Sequence, residues 1–335
     1  MLRLPPYRYH RPERLDEALE LLEAHGAMAR IIAGGTDLIP NMKHGLFTPD
    51  HLVSLRGLGE LKGIEAKPKG GLRLGAGVTL AEVAASEAVL GAAPALARAA
   101  RNVAGPQLRN AGTLGGNLCL DTRCTYYNQS EFWREALGYC LKKDGDRCHV
   151  TRTGRVCVAA HSADTPPVLM ALGATLELAS PRGRRTMAIR DFFMPDGVWN
   201  QKREPDEVVT AIEVPPVEDG LRRRTAHGKL RVRKSIDFPL LSMGLAAWFD
   251  DAGTVVGLEG VVTGLGSRPR HLTRFGELAL GERWSPDLME ALAARAHAQC
   301  TPLENHIVDP DWRKAMVPVI MRRTLEQLGP VEGAA

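Results

Sequence analysis

The amino-acid sequence predicts an α+β protein built from two domains. Its 335 residues are enough to form two cores of ordinary domain size. Short apolar runs and amphipathic helical stretches alternate in the first two thirds, whereas two long apolar strands followed by two helices occupy the rest. A proline-containing linker at residues 215–220 separates these patterns. We therefore expect domains at residues 1–217 and 218–330.

Composition restricts the classes of function. A net charge of +4 and a charged fraction of 24% are ordinary for a globular protein and do not call for a nucleic-acid partner. The N-terminus has no apolar signal segment, and no stretch approaches the roughly 18 uninterrupted apolar residues that a membrane span needs. We expect a cytoplasmic protein that binds neither nucleic acid nor membrane.

Hydrophobic periodicity predicts the elements of the N-terminal region. Residues 16–23 have the apolar stripe of a surface helix, and Gly26 stands at the position of a C-terminal cap. Thr79 and Glu82 form a capping box that begins a helix ending at Ala85. The same reasoning predicts strands at 29–33 and 51–55, hairpin arms at 61–64 and 72–75, and a helix at 94–103.

A glycine-containing turn follows the strand at 29–33. Gly34 and Gly35 allow positive φ angles, so that successive N–H groups can converge on an anion. Asp37 offers an acceptor for ribityl or ribose hydroxyls. An ordinary β-turn explains the same residues, because glycine and aspartate are common in turns.

A second glycine-rich turn, at residues 110–117, leads into a cysteine-rich segment. Five of the six cysteines lie there, at Cys119, Cys124, Cys140, Cys148 and Cys157, whereas Cys300 lies in an alanine-rich helical pattern that indicates a small buried residue. In a reducing compartment, clustered cysteines indicate metal ligands more than disulfides. The last four of the five are separated by fifteen, seven and eight residues, which matches neither zinc ribbons nor the ferredoxin run. A [4Fe–4S] cluster, zinc or no metal all stay open on this pattern.

Two further features concern charged residues. Asp164 precedes two prolines and is either a helix cap or a ligand-binding group. Lys229, Arg231 and Arg233 alternate onto one face of a predicted strand, which favours a solvated face or an anion-facing edge. Beyond them the pattern predicts an antiparallel pair at 240–249 and 254–265 and helices at 286–299 and 312–328.

Several enzyme classes are excluded by missing motifs. The sequence contains no H-E-x-x-H, no G-x-S-x-G elbow and no P-loop. Its ten histidines are scattered singly. Of the enzyme classes considered, redox enzymes remain.

Four motifs, at residues 33–38, 113–117, 162–167 and 229–237, occur together in a characteristic order. In this combination the chain resembles the FAD-binding medium subunit of the molybdenum hydroxylases, the family of xanthine dehydrogenase and carbon monoxide dehydrogenase. The resemblance implies a two-lobed flavin fold of the vanillyl-alcohol-oxidase type, followed by a C-terminal domain of the carbon monoxide dehydrogenase flavoprotein type. The chain departs from the usual pattern by an insertion at about residues 119–160. This insertion is similar to that of the flavoprotein subunit of 4-hydroxybenzoyl-CoA reductase, where it carries an additional [4Fe–4S] cluster.

The resemblance also implies site residues. It assigns the four cluster thiolates to Cys124, Cys140, Cys148 and Cys157, with Cys119 as a spare and no catalytic residue on this chain. FAD would be bound by Ala33, Gly34, Gly35, Thr36, Asp37, Thr113, Gly115, Gly116, Asn117, Asp164 and Lys229, the two turns holding the pyrophosphate through N–H groups.

The implied partners are a small subunit with two [2Fe–2S] clusters and a large subunit with a molybdenum cofactor, as a dimer of heterotrimers. Electrons from reduced ferredoxin would pass through this chain for the reduction of 4-hydroxybenzoyl-CoA to benzoyl-CoA. The alternative is the FAD subunit of an NAD-linked hydroxylase whose insertion holds zinc or is only structural. A third interpretation is a nonenzymatic scaffold that binds an anionic partner through residues 222–234.

Overall fold

The computed structural model describes residues 2–329, so residue 330, the expected end of the second domain, lies outside it. The strands are β1 (Arg8–His10), β2 (Ala29–Ile32), β3 (His51–Ser54), β4 (Ile64–Lys67), β5 (Gly71–Gly75), β6 (Thr175–Ser180), β7 (Gly183–Ala188), β8 (Val208–Val214), β9 (Arg222–Leu230), β10 (Leu241–Phe249), β11 (Val255–Thr263) and β12 (Arg270–His271). The α-helices are α1 (Leu15–His25), α2 (Leu38–Lys43), α3 (Leu80–Ala85), α4 (Glu87–Ala92), α5 (Pro94–Arg101), α6 (Pro106–Arg109), α7 (Leu114–Leu118), α8 (Glu131–Ala136), α9 (Thr165–Ala171), α10 (Ile189–Phe192), α11 (Pro286–Gln299) and α12 (Pro310–Leu325).

The N-terminal lobe is a small parallel sheet in the order β1-β3-β2. Helix α1 covers it, because Leu15, Ala18 and Leu22 of its apolar stripe pack against Val53 of β3. The helix ends at Gly26, whose φ of 50° is readily adopted only by glycine. The predicted helix and its cap are confirmed.

The second lobe is an antiparallel sheet in the order β4-β5-β8-β6-β7, packed against the helices of residues 80–101 and α9. Helix α3 begins at the capping box, in which the Thr79 hydroxyl accepts from the Glu82 N–H. The predicted hairpin is present, but its first arm begins at Ile64 rather than Leu61. Leu61 lies in a short 3-10 turn, and its carbonyl accepts from the Gly77 N–H at 2.7 Å.

The C-terminal region is an antiparallel sheet in the order β12-β11-β10-β9, covered by α11 and α12. Cys300 is buried in this core, as predicted. One face of this sheet packs against the second lobe, since Ala246 and Val261 share a hydrophobic cluster with Val168 of α9. The predicted α+β class is confirmed, and within residues 2–329 no helix is long and apolar enough to cross a bilayer.

The basic strand was predicted wrongly at its end. Strand β9 stops at Leu230, so Arg231 and Arg233 do not continue its face. The Asp237 carboxylate accepts the N–H groups of Val232 and Arg233 at 2.9 and 3.0 Å, which turns the chain into a loop. Only Lys229 of the three basic residues therefore belongs to the strand.

Candidate functional site

The two glycine turns lie against each other. A Cβ atom on Gly34 would stand 2.0 Å from the Ala111 carbonyl oxygen, and one on Gly112 would stand 3.3 Å from the Thr36 hydroxyl. No side chain fits at position 34, so the backbones of the two turns are in direct contact. The fold thus joins two segments that the sequence separates by more than seventy residues.

The first turn presents free hydrogen-bond donors. Gly35 has a φ of 70°, which turns the chain between β2 and α2. Among the residues that the structure describes, the N–H groups of Gly34, Gly35, Thr36 and Asp37 donate to no protein acceptor. A run of unpaired N–H groups in a glycine turn binds anions such as phosphate. This turn fits the predicted pyrophosphate site.

The second turn supports the first. It contains the short helix α7, where Gly115 and Gly116 donate to the Ala76 carbonyl and the Thr113 hydroxyl. The Asn117 N–H donates to the Thr113 carbonyl, and its side-chain oxygen accepts from the Thr165 hydroxyl at 2.6 Å. These three N–H groups already have acceptors within the protein, and a pyrophosphate contact through the second turn stays a prediction. A contact of these residues with a cofactor through other atoms stays a prediction.

Asp37 has a partner that sequence reasoning missed. Its carboxylate pairs with the Arg123 guanidinium and accepts from the Asn41 amide at 3.2 Å. Arg123 also lies 4.6 Å from the centroid of the Phe238 ring, and burial lowers its pKa to about 10. Because Arg123 directly precedes Cys124, this ion pair connects the glycine turn to the cysteine segment.

Asp164 and Lys229 form a buried ion pair between the two domains. Lys229 Nζ donates to Asp164 Oδ2 at 2.6 Å, and the two side chains are only 2% and 3% exposed. Asp164 occupies the N-cap position of α9, yet its side chain makes no capping bond. Its other carboxylate oxygen is buried without a hydrogen-bond partner within the described chain, and the nearby Ser242 hydroxyl acts to lower the pKa of this carboxyl. Such an acceptor suits a hydroxyl or N–H group of a bound ligand.

Burial and neighbouring charge set the protonation states around this pair. Burial raises the pKa of Asp164, and the Lys229 ammonium opposes the shift. His227 lies 4.0 Å from the Asp164 carboxylate, and burial together with Lys229 lowers its pKa to about 3. His227 is therefore neutral at pH 7 and adds no positive charge to this contact.

Other basic groups gather on the segment that leads into the second turn. Lys229 and Arg231 both donate to the Asn102 carbonyl, and Arg109 donates to the Val103 carbonyl at 2.8 Å. The pKa of Arg109 is lowered by burial and by the charges of Arg101 and Arg231. Concentrated positive charge favours an anionic ligand near this segment.

Four of the insertion's thiols form one group. Cys140, Cys148 and Cys157 are buried, Cys124 is partly buried, and all are unpaired. Cys124 is within electrostatic range of Cys140 and Cys148, and Cys157 is within range of Cys148 and Cys124. The residues that the sequence proposed as metal ligands are therefore brought together.

The sulfurs do not form a preassembled three-ligand metal site. In the described chain, no three of them lie within 4.8 Å of one another. A tetrahedral zinc ion with Zn–S bonds of about 2.3 Å needs sulfurs about 3.8 Å apart, whereas in a [4Fe–4S] cluster each thiolate binds a different iron. A [4Fe–4S] cluster at these thiols stays a prediction.

Backbone N–H groups surround the sulfurs. Burial raises the pKa of Cys124 to about 11, opposed by the N–H groups of Tyr126 and Tyr127. Burial also raises the pKa of Cys157, to about 12, opposed by the Ala159 N–H. For Cys148 burial acts in the same direction, but several N–H donors outweigh it and the pKa is lowered. N–H donors to sulfur stabilise thiolates and tune bound iron–sulfur clusters.

The insertion is fastened to the rest of the protein on three sides. Lys142 is buried and donates to Asp121 and to the Gly197 carbonyl, each at 2.7 Å. Gly197 lies so close to Cys157 that an added Cβ would be 2.6 Å from its sulfur. From the C-terminal domain, the buried Asn305 accepts from the Thr125 N–H through its backbone carbonyl and donates its amide to the Val158 carbonyl.

Arg134 provides the third attachment. Its side chain is 1% exposed and donates to the His44 carbonyl at 3.0 Å, next to α2. Cys119, by contrast, lies beside Arg203, and its pKa is raised by burial. The assignment of Cys119 as the spare thiol stays a prediction.

Comparison with known proteins defines the class. Residues 5–217 match the FAD binding domain in molybdopterin dehydrogenase, and residues 227–328 match the CO dehydrogenase flavoprotein C-terminal domain. The chain belongs to the family of FAD-binding medium subunits of the molybdenum hydroxylases. Its dinucleotide is therefore FAD, and the free N–H groups, basic side chains and unpartnered Asp164 oxygen of the site fit that cofactor.

Relatives and solved structures agree with this family. The chain is 28% identical to the carbon monoxide dehydrogenase medium chain of Afipia carboxidovorans over 96% of both chains. It is 36% identical to the aldehyde oxidoreductase FAD-binding subunit PaoB of Escherichia coli, over 68% of this chain and 73% of that one. A carbon monoxide dehydrogenase structure from Hydrogenophaga pseudoflava superposes with a TM-score of 0.77 at 26% identity, covering 97% and 98% of the two chains.

Proposed function

We propose that this chain is the electron-transferring flavoprotein subunit of a molybdenum hydroxylase-type enzyme and carries a [4Fe–4S] cluster of its own. The cluster would be bound by Cys124, Cys140, Cys148 and Cys157. The observation that carries the proposal is the grouping of these four unpaired thiols in one part of the fold. The partners would be a small subunit with two [2Fe–2S] clusters and a large subunit with the molybdenum cofactor, as a dimer of heterotrimers.

When bound, FAD exchanges one or two electrons and an iron–sulfur cluster exchanges one at a time. The residues of this chain bind and orient these groups. The turn at Gly34 and Gly35 would hold the pyrophosphate through N–H groups, and Asp164 would accept from the ribityl or flavin end. The Lys229 ammonium positions Asp164 and favours its ionised form, against the burial that raises the pKa of this carboxyl.

The ion pair of Arg123 and Asp37 connects the two proposed cofactor sites. Asp37 belongs to the glycine turn, and Arg123 directly precedes Cys124, so a displacement of the turn would also move the first thiolate. Burial keeps water away from the pair, which strengthens its attraction. Fixed positions at both sites favour electron transfer without large reorganisation.

For the whole enzyme, we propose reductive dehydroxylation of 4-hydroxybenzoyl-CoA with ferredoxin as donor. Two electrons from two reduced ferredoxins and two protons convert the substrate to benzoyl-CoA and water. A one-electron donor needs a one-electron acceptor site, and the four thiols supply its ligands. Substrate binding would be the task of the large subunit.

A second candidate rests on the 36% identity to an aldehyde oxidoreductase subunit. In that case the complex would oxidise an aldehyde, and electrons would leave through this chain to NAD or another acceptor. The cysteine site would then serve as an exit or a structural element. The two candidates differ in the direction of electron flow and in the substrate of the partner subunit.

Metal analysis tests the cluster. Anaerobically purified protein should contain about four irons and four acid-labile sulfides per FAD, with an electron paramagnetic resonance signal after reduction. Cys140→Ser and Cys148→Ser should lose the signal and keep FAD, whereas the control variants Cys119→Ser and Cys300→Ser should keep both. FAD without iron would reject the cluster and leave a flavoprotein with a structural insertion.

Assays of the complex purified with its partner subunits test the direction. Reduced ferredoxin with 4-hydroxybenzoyl-CoA should give benzoyl-CoA, and aromatic aldehydes should not reduce the flavin. Flavin reduction by an aldehyde, without turnover of the thioester, would establish the second candidate instead.

A further inference from the structure

A cluster of three histidines lies in the N-terminal lobe, outside the flavin and cysteine sites. His10 ends β1, His25 ends α1 and His51 begins β3. The rings of His25 and His51 are stacked, with centroids 3.6 Å apart and planes within 12°. One ring nitrogen from each of the three residues lies within 4.8 Å of the other two.

We propose that these three imidazoles bind a divalent transition-metal ion such as Zn²⁺, Ni²⁺ or Cu²⁺. Neutral imidazole is a preferred ligand of all three ions. The site would join three elements, β1, α1 and β3, at one point. Its metal is separate from the iron proposed for the thiols, and the inference does not depend on the proposed function.

The distances suit shared coordination. His10 Nε2 and His51 Nδ1 face each other at 2.9 Å. At this separation one of the two nitrogens donates its N–H to the lone pair of the other. With metal–nitrogen bonds of about 2.0–2.1 Å, two ligands at right angles stand about 2.9 Å apart and tetrahedral ligands about 3.4 Å. A cation can therefore replace the shared proton with small rotations of the rings.

The surroundings favour a bound cation. The site lies at the C-terminal end of α1, an eleven-residue helix whose dipole attracts positive charge there. An open depression lined by His10, Glu17 and Glu20 gives access from solvent.

The test is metal binding by the full chain, purified without a histidine tag and treated with a chelator. Wild-type protein should bind one more Co²⁺ or Zn²⁺ ion per chain than the His25→Gln variant does. Loss of a residue that hydrogen-bonds to a metal ligand weakens metal affinity ~10–100-fold, and loss of the ligand itself should weaken it at least as much. The Co²⁺ complex should show visible ligand-field bands without the near-ultraviolet charge transfer of thiolate ligands.

His297→Gln is the matched control, because His297 is also partly exposed and lies in the last turn of a helix. It should bind the metal as wild type does, and His10→Gln should behave like His25→Gln. Iron and FAD contents should be the same in all four proteins, which separates this site from the cysteine cluster. Equal binding by wild type and His25→Gln, or no binding by wild type, would reject the site.

Discussion

The Lys229 ammonium and the Asp164 carboxylate meet at 2.6 Å inside the protein, with the lysine on β9 of the C-terminal domain and the aspartate at the start of α9. The contact joins the two parts of the chain beside the proposed flavin site. One carboxylate oxygen of Asp164 has no hydrogen-bond partner within the described chain.

Removing the lysine should destabilise the protein strongly. Lys229→Met leaves a buried carboxylate without its cation, which costs about 3–5 kcal/mol of unfolding free energy. The measurement is denaturant unfolding of FAD-free protein, so that lost cofactor does not contribute. Lys69→Met, which breaks the exposed pair with Asp219, should change stability by only about 0–1 kcal/mol. The double variant with Asp164→Asn should recover much of the loss, and equal effects of the two lysine variants would contradict the argument.

Substitution of Gly34 should separate the two glycine turns. Gly34→Ala places a methyl group 2.0 Å from the Ala111 carbonyl oxygen, so the backbone has to move. We expect the FAD-to-protein absorbance ratio to fall at least tenfold, roughly 1.4 kcal/mol or more of binding free energy. Gly59→Ala, where a Cβ meets no atom within 4 Å, is the control and should keep its FAD. Unchanged FAD content in Gly34→Ala would remove the turn from the binding site.

Substitution of Gly197 should lower the iron content and leave FAD binding at the glycine turn unchanged. In Gly197→Ala the new methyl group would stand 2.6 Å from the Cys157 sulfur, which displaces a proposed ligand. Iron per chain should fall while FAD is retained. Gly266→Ala has open space for its Cβ and serves as the control. If both variants keep full iron, Cys157 is not a ligand.

Two buried histidines should make the protein less stable in mild acid. Burial lowers the pKa of both His161 and His227 to about 3, well below the ordinary value of 6.5. Between these values the unfolded chain takes up protons that the folded chain does not, so stability falls as pH falls. The loss from pH 7 to pH 5 should be about 2 kcal/mol for each histidine.

The measurement is unfolding free energy against pH. His161→Gln should reduce the loss of unfolding free energy between pH 7 and pH 5 by about 2 kcal/mol, the contribution of one buried histidine. Substitution of the exposed His44 should leave the loss nearly unchanged. A pH dependence identical in His161→Gln and wild type would show that His161 is protonated in the folded state.

Local signals in the sequence were sufficient for many elements. The capping box of Thr79 and Glu82 and the cap at Gly26 act within one helical turn, so neighbouring residues determine them. The glycine turn at Gly34 and Gly35 was predicted for the same reason. The grouping of four cysteines followed from the family resemblance, because their irregular spacing left zinc and no metal open.

Contacts between distant residues could not be predicted in the same way. Arg123 pairs with Asp37, and Asn117 bonds to Thr165, only because the tertiary fold brings them together. The end of β9 has a local signal in the sequence, namely Asp237, whose side chain accepts two backbone N–H groups. The three histidines were scattered singly in the sequence and meet only through the parallel sheet and α1.

The attachment of the insertion to Asn305 sets an order for biosynthesis. The ribosome completes the four grouped cysteines long before it reaches Asn305, and domains fold as units during synthesis. Until that asparagine has left the exit tunnel, the segments at Thr125 and Val158 lack the residue that holds them together. The cysteine segment therefore reaches its final position only when the C-terminal domain folds.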